Sequence, residues 1–105
     1  MTRLDRTWQV PAEHPAFAGH FPGYPIVPGV VLLDRVLQLA QAQLGDTVGG
    51  WRVKQVKFLK PCGPLDELRF ELQFDVREES VGTWLFSVRT SDHEVASGSL
   101  DALSP

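Results

Sequence analysis

The sequence predicts a single α+β domain in which one long helix is wrapped by an antiparallel sheet. A segment beginning near residue 30 follows helical spacing and is apolar almost all round, so it needs other elements about it. Four later segments alternate apolar and polar residues, as half-buried strands do. Turn-forming residues separate those four, with no repeats, linkers or low-complexity tracts between them. The 105 residues read as one domain, 1–105, long enough to bury roughly two-thirds of the unfolded surface.

Residues 5–10 read as a short strand stopped by Pro11. Residues 11–29 form a Pro/Gly-rich loop. From His14 to Gly29 it holds two histidines, four prolines and three glycines, a backbone far more restrained than a surface loop requires. Pro28 suits the first turn of the helix that follows, and Val30, Leu33, Leu37, Ala40 and Leu44 set its period. Val31, Leu32, Val36 and Leu39 fill its other faces, and Gly45 is its C-cap. The strand-like runs are 50–60, 67–77, 83–90 and 94–102. Leu68, Phe70, Leu72, Phe74 and Val76 share one face of the second run, and Trp84, Phe86 and Val88 one face of the third. Turns are expected at Pro61–Pro64, Glu78–Gly82 and Ser91–His93.

Bulk properties remove several functions. The net charge is −3 and the sequence pI near 5.5, so there is no basic footprint for nucleic acid. Cys62 is the single cysteine, which excludes an internal disulfide, and no Cys/His set has zinc-ligand spacing. A lone cysteine is more often a small buried hydrophobe than a nucleophile. The N-terminus lacks a signal-peptide core and no apolar run approaches the ~18 residues of a membrane span, so a cytoplasmic location is expected.

Three features carry chemistry. His20, clamped between Gly19 and Phe21-Pro22-Gly23, has the fixed backbone that a general base needs. A histidine beside aromatics is also a common structural residue. His14, before Pro15, is assigned to shaping the loop. Asp34 lies in the second helical turn among apolar neighbours, where lost solvation favours a neutral carboxyl suited to a general acid. A solvated acid near a positive helix end is the plainer alternative. Gln38, four residues on, is placed to orient that carboxyl. The amides of Gly29 and Val30 belong to the unsatisfied set at a helix start, and Gly29 lets a carbonyl oxygen approach closely. Base, acid and oxyanion donor together suit removal of a proton α to a carbonyl with loss of a β-leaving group.

Gly19-His-Phe-Pro-Gly-Tyr-Pro-Ile-Val-Pro-Gly-Val30 followed by Asp34 resembles the signature of the FabA/FabZ-type 3-hydroxyacyl-acyl-carrier-protein dehydratases. Phe58-Leu-Lys-Pro-Cys-Gly-Pro-Leu-Asp66 is similar to the family's second segment, an aromatic-bearing strand ending in a Pro/Gly/Asp turn. The resemblance spans nearly the whole chain, the C-terminal strands matching in pattern only. It implies a hotdog fold, and it implies roles: His20 as base at C2, Asp34 as acid to the C3 hydroxyl, Gly29 N–H on the thioester carbonyl, and Gln38 supporting Asp34. Phe21, Ile26 and Phe58 would line an apolar acyl tunnel. No metal or other cofactor is implied. The partner would be an acyl carrier protein, and active sites would form across a homodimer, His20 of one copy facing Asp34 of the other, with higher or hetero-oligomers also open.

Departures from the family pattern refine that expectation. The acid is Asp, as in the FabA branch whose members can also isomerise the double bond, rather than the Glu of the FabZ branch. The chain is shorter than typical members and begins almost at the first strand; short, ApeI-like relatives serve specialised routes such as aryl-polyene synthesis. Carrier recognition calls for basic residues. Arg52, Lys54, Lys57 and Lys60 fall in one run, where alternation would put Arg52 and Lys54 on one face and Lys57 on the other. Two other readings remain: a hotdog thioesterase, and a non-catalytic acyl-binding module.

Overall fold

Strand β1 (Thr2–Gln9), helix α1 (Gly29–Leu44), and strands β2 (Gly50–Phe58), β3 (Glu67–Asp75), β4 (Gly82–Arg89) and β5 (Glu94–Leu103) follow one another in that order in the computed structural model, which describes residues 2–15, 26–76 and 81–105. A 3₁₀ turn, Gly45–Thr47, follows the helix. The strands form one antiparallel sheet in the order β1-β3-β4-β5-β2.

Alternation decides which side of the sheet is buried. Leu68, Phe70, Leu72 and Phe74 of β3 lie opposite Leu4 of β1 and opposite Trp84, Phe86 and Val88 of β4, and all are buried. Leu100 and Ala102 of β5 complete that face, paired with Trp84 and Gly82. Helix α1 covers it with Leu32, Val36 and Ala40. Each large apolar side chain buried there contributes about 1.5–3 kcal/mol. Val76, expected to continue the β3 pattern, lies beyond the strand end and is exposed.

The helix departs from expectation in two respects. It is not buried all round: the i, i+4 stripe of Leu32, Val36 and Ala40 is its buried face, because one sheet covers only one side. Leu33, Leu37 and Leu44 are half-buried, and Val30 is 70% exposed. Pro28 caps the helix in extended conformation (φ −61°, ψ 141°) instead of entering its first turn. Gly45 does end it, at φ 59°, donating its N–H to the Gln41 carbonyl; that left-handed region favours glycine.

A β-bulge corrects the expected distribution of basic residues. In the β2–β5 pair, Val53 lies opposite Leu100 and Gln55 opposite Ser99, leaving Lys54 as the extra residue. The one-residue offset reverses the alternation beyond it. Arg52, opposite Asp101, and Lys57, opposite Ser97, therefore share the face turned away from α1. On that face Arg52 Nη2 donates to Asp101 Oδ2 (2.9 Å) and Thr83 Oγ1 donates to Asp101 Oδ1 (2.9 Å). The guanidinium hydrogen bond, with the Thr83 hydroxyl and the charge of Lys54, outweighs burial and holds the Asp101 carboxyl below the usual range.

Candidate functional site at the start of the central helix

The start of α1 is electrostatically open. Pro28 supplies no side-chain cap and no acid lies in the first turn, so among the described residues the positive end of the helix has no side-chain cap. Beside it lies a cleft of about 520 Å³, bounded by Ile26–Val30, Leu32, Phe58–Cys62 and Val95. Most of these side chains are apolar, as an acyl chain would require. Leu32, Cys62 and Val95 are buried at its floor, while Val30, Phe58 and Leu59 are exposed at its rim. The Leu59 N–H donates to the Val95 carbonyl (2.8 Å), tying the end of β2 to β5 there.

Of the residues singled out in the sequence, Gly29, Ile26 and Phe58 meet around this cleft. The contact between two of them is tight: a Cβ on residue 29 would sit 2.6 Å from the Phe58 ring. The space freed by the glycine is thus occupied by Phe58. His20 and Phe21 lie outside the described residues. Leu32, Cys62 and Val95 were not anticipated as wall residues. Leu32 follows Gly29 by three, the spacing of one helix face, which is a readable signal. Val95 arrives only through the β2–β5 pairing, for which the local sequence offers none.

Asp34 and Gln38 form a pair one helical turn apart, Gln38 Nε2 donating to Asp34 Oδ2 at 3.0 Å. Asp34 is exposed and does not line the cleft. Its apolar helix neighbours do not enclose it.

Its neighbour Arg35 turns elsewhere. The guanidinium lies 4.1 Å from the centroid of Trp8, at the end of β1, and burial lowers its pKa. His14 meets the same indole edge-on, with ring centroids 5.9 Å apart. Trp8 therefore links the second turn of α1 to the beginning of the Pro/Gly-rich segment.

Cys62 behaves as the small buried hydrophobe expected. Burial, reinforced by the negative charge of Asp66, pushes its thiol up to about 11, which keeps it in the poorly nucleophilic neutral form at neutral pH. Among the described residues no cluster of His, Cys, Asp and Glu could hold a metal ion, and no helix is long and apolar enough to cross a membrane. A broader concavity of about 1000 Å³ includes Asp5, Arg69, Glu71, Arg89 and His93. Charges within it already engage one another, Arg69 with Glu71 (3.6 Å) and Asp5 (4.0 Å).

Comparison with known proteins converges on one group. The ApeI-like family, described as ApeI dehydratase, matches residues 1–99. The FabZ 3-hydroxyacyl-acyl-carrier-protein dehydratase of Gluconobacter oxydans is 30% identical over 105 residues, covering 90% of this chain and 61% of that protein. The dehydratase heterocomplex ApeI:P from Xenorhabdus doucetiae superposes with a TM-score of 0.80 at 25% identity, over 96% of this chain and 87% of that one. A fluoroacetyl-CoA thioesterase, FlK, shares the fold alone, at 14% identity with a TM-score of 0.74, over 96% of this chain and 85% of that one. The chain spans 52–65% of the length of three curated FabZ relatives that it matches.

Proposed function

The chain belongs to the ApeI-like dehydratase family and has the hotdog fold, and on that premise we propose that it removes water from a 3-hydroxyacyl-acyl-carrier-protein thioester to give the trans-2-enoyl thioester. The observation that carries this reading is the uncapped start of α1 beside an apolar cleft, with a carboxyl–amide pair on the next turn. In the proposed reaction His20 takes the C2 proton and Asp34 gives a proton to the departing C3 hydroxyl, which leaves as water. The Gly29 N–H and the helix dipole stabilise the charge that grows on the thioester oxygen. Gln38 holds the Asp34 carboxyl in one orientation.

The site needs a second copy in this reading. Asp34 stands exposed, Val30 and Phe58 are exposed at the rim of the cleft, and β2 is an edge strand of the sheet, one backbone edge unpaired among the described residues. A homodimer that brings His20 of one copy to Asp34 of the other would cover these features and remove solvent from the acid. A hetero-oligomer, as in the named ApeI:P complex, is the variant of the same arrangement. The carrier protein is the proposed partner, the cytoplasm the proposed location, and a polyene-type or fatty-acid route the proposed setting. Double-bond isomerisation as a second activity would depend on how the cleft orients the chain.

Incubation with a 3-hydroxyacyl-carrier thioester tests the reading. Enoyl absorbance should grow without release of free thiol. Thiol release without enoyl product would assign the thioesterase reaction instead, and binding without either would assign a non-catalytic module.

A further inference from the structure

The Pro/Gly-rich segment begins and ends on one turn. At its start, Val10 N–H donates to the Asp66 carbonyl (2.9 Å) and Leu65 N–H donates to the Val10 carbonyl (2.8 Å). At its end, Val27 N–H donates to the Cys62 carbonyl (2.8 Å). Val10 and Val27 are both buried, so neither amide has water as a ready alternative. Both anchors therefore depend on the shape of residues 62–66.

That shape rests on the Asp66 carboxylate. Its Oδ2 accepts the Gly63 N–H (2.8 Å), and the Asp66 N–H donates back to the Gly63 carbonyl (3.2 Å). The reciprocal pair closes the turn across Pro64 and Leu65, forcing Leu65 to φ 67°. A non-glycine residue is held there only where its surroundings over-determine it. We propose that this turn, braced by Asp66, fixes both ends of residues 11–26 together, and that Asp66 is a positioning residue for the reaction of His20. The catalytic half of the proposal rests on the dehydratase reading; the coupling of the two anchors does not.

Amide hydrogen exchange and kinetics on the full chain separate the two. In Asp66→Ala, exchange at Val10 and Val27 should accelerate together by ~10-fold or more, with Phe70 of β3 unchanged. Asp66→Glu, which keeps the charge but misplaces it, should behave alike if the alanine variant folds poorly. Asp66→Asn keeps an acceptor oxygen for Gly63 and should stay within about threefold of the parent at both amides. With carrier substrate, Asp66→Ala should lower kcat ~10-fold while KM stays within about twofold, because a misplaced base is felt in the transition state. Acceleration at Val10 alone, whose acceptor is Asp66 itself, would overturn the coupling. An unchanged kcat with both amides accelerated would overturn the positioning role. If the parent protein has no activity, the exchange result still decides the coupling, and the dehydratase reading falls by itself.

Discussion

The ring of Phe58 occupies the place that a side chain at Gly29 would take, 2.6 Å from where its Cβ would be. The first residue of the helix and the last residue of β2 are fitted to one another at the mouth of the apolar cleft.

Gly29→Ala should therefore act through Phe58. Phe58 is 56% exposed and its ring can swing outward, and alanine favours the helix by up to about 1 kcal/mol, so folding should survive. The cleft wall would be displaced, and kcat/KM should fall ~10-fold. A double-mutant cycle checks the cause: in a Phe58→Ala background the same substitution should cost little more. An equal cost in both backgrounds would place the effect elsewhere.

Asp101 predicts a pH-dependent contribution to stability. The hydrogen bond from Arg52, with Thr83 and Lys54 adding to it, holds its folded pKa below the usual value. A carboxyl depressed in this way stabilises the fold above its unfolded pKa of about 3.9 and loses that contribution as pH falls through the lower folded value. Asp101→Asn should be less stable than the parent by about 1 kcal/mol at pH 7, the exposed Arg52 side chain being screened by solvent. Denaturant melts at several pH values should show that gap closing below about pH 4. A gap independent of pH would deny the ionic character of the bond.

Leu65 sits at φ 67° and is 60% exposed. A side chain in that region costs about 1–2 kcal/mol, which glycine avoids at the expense of a more flexible unfolded chain. Leu65→Gly should therefore be neutral or stabilising by up to ~1 kcal/mol, unlike the loss expected of most leucines. A thermal melt lowered by the equivalent of more than ~2 kcal/mol would show that Leu65 packs in a way its exposure does not suggest.

Local pattern carried the elements well, because each strand has one buried face and period two is hard to mistake. Leu68 to Phe74 and Trp84 to Val88 are the clear cases. What the pattern could not supply was anything set by pairing. The extra residue at Lys54 leaves no local mark, yet it moves Lys57 to the face of Arg52. The burial of α1 was overestimated for a related reason. Val30, Leu33 and Leu37 are apolar enough for an all-round core, but one sheet covers only the Leu32–Val36–Ala40 stripe. Within the site, the Gln38–Asp34 pair was legible from helical spacing. The exposure of Asp34 was not, since apolar neighbours along a helix do not say what the rest of the fold lays over that turn.

Mixing two single-site variants tests the shared site most directly. His20→Ala and Asp34→Asn should each fold and each lose ~10²-fold or more in enoyl hydration, followed as loss of enoyl absorbance. When the two are exchanged at equal concentration, activity should return to about a quarter of the parent rate, since half of the twofold dimers are mixed and each mixed dimer holds one intact site. A mixture no more active than its separate components would contradict a site built from His20 of one copy and Asp34 of another.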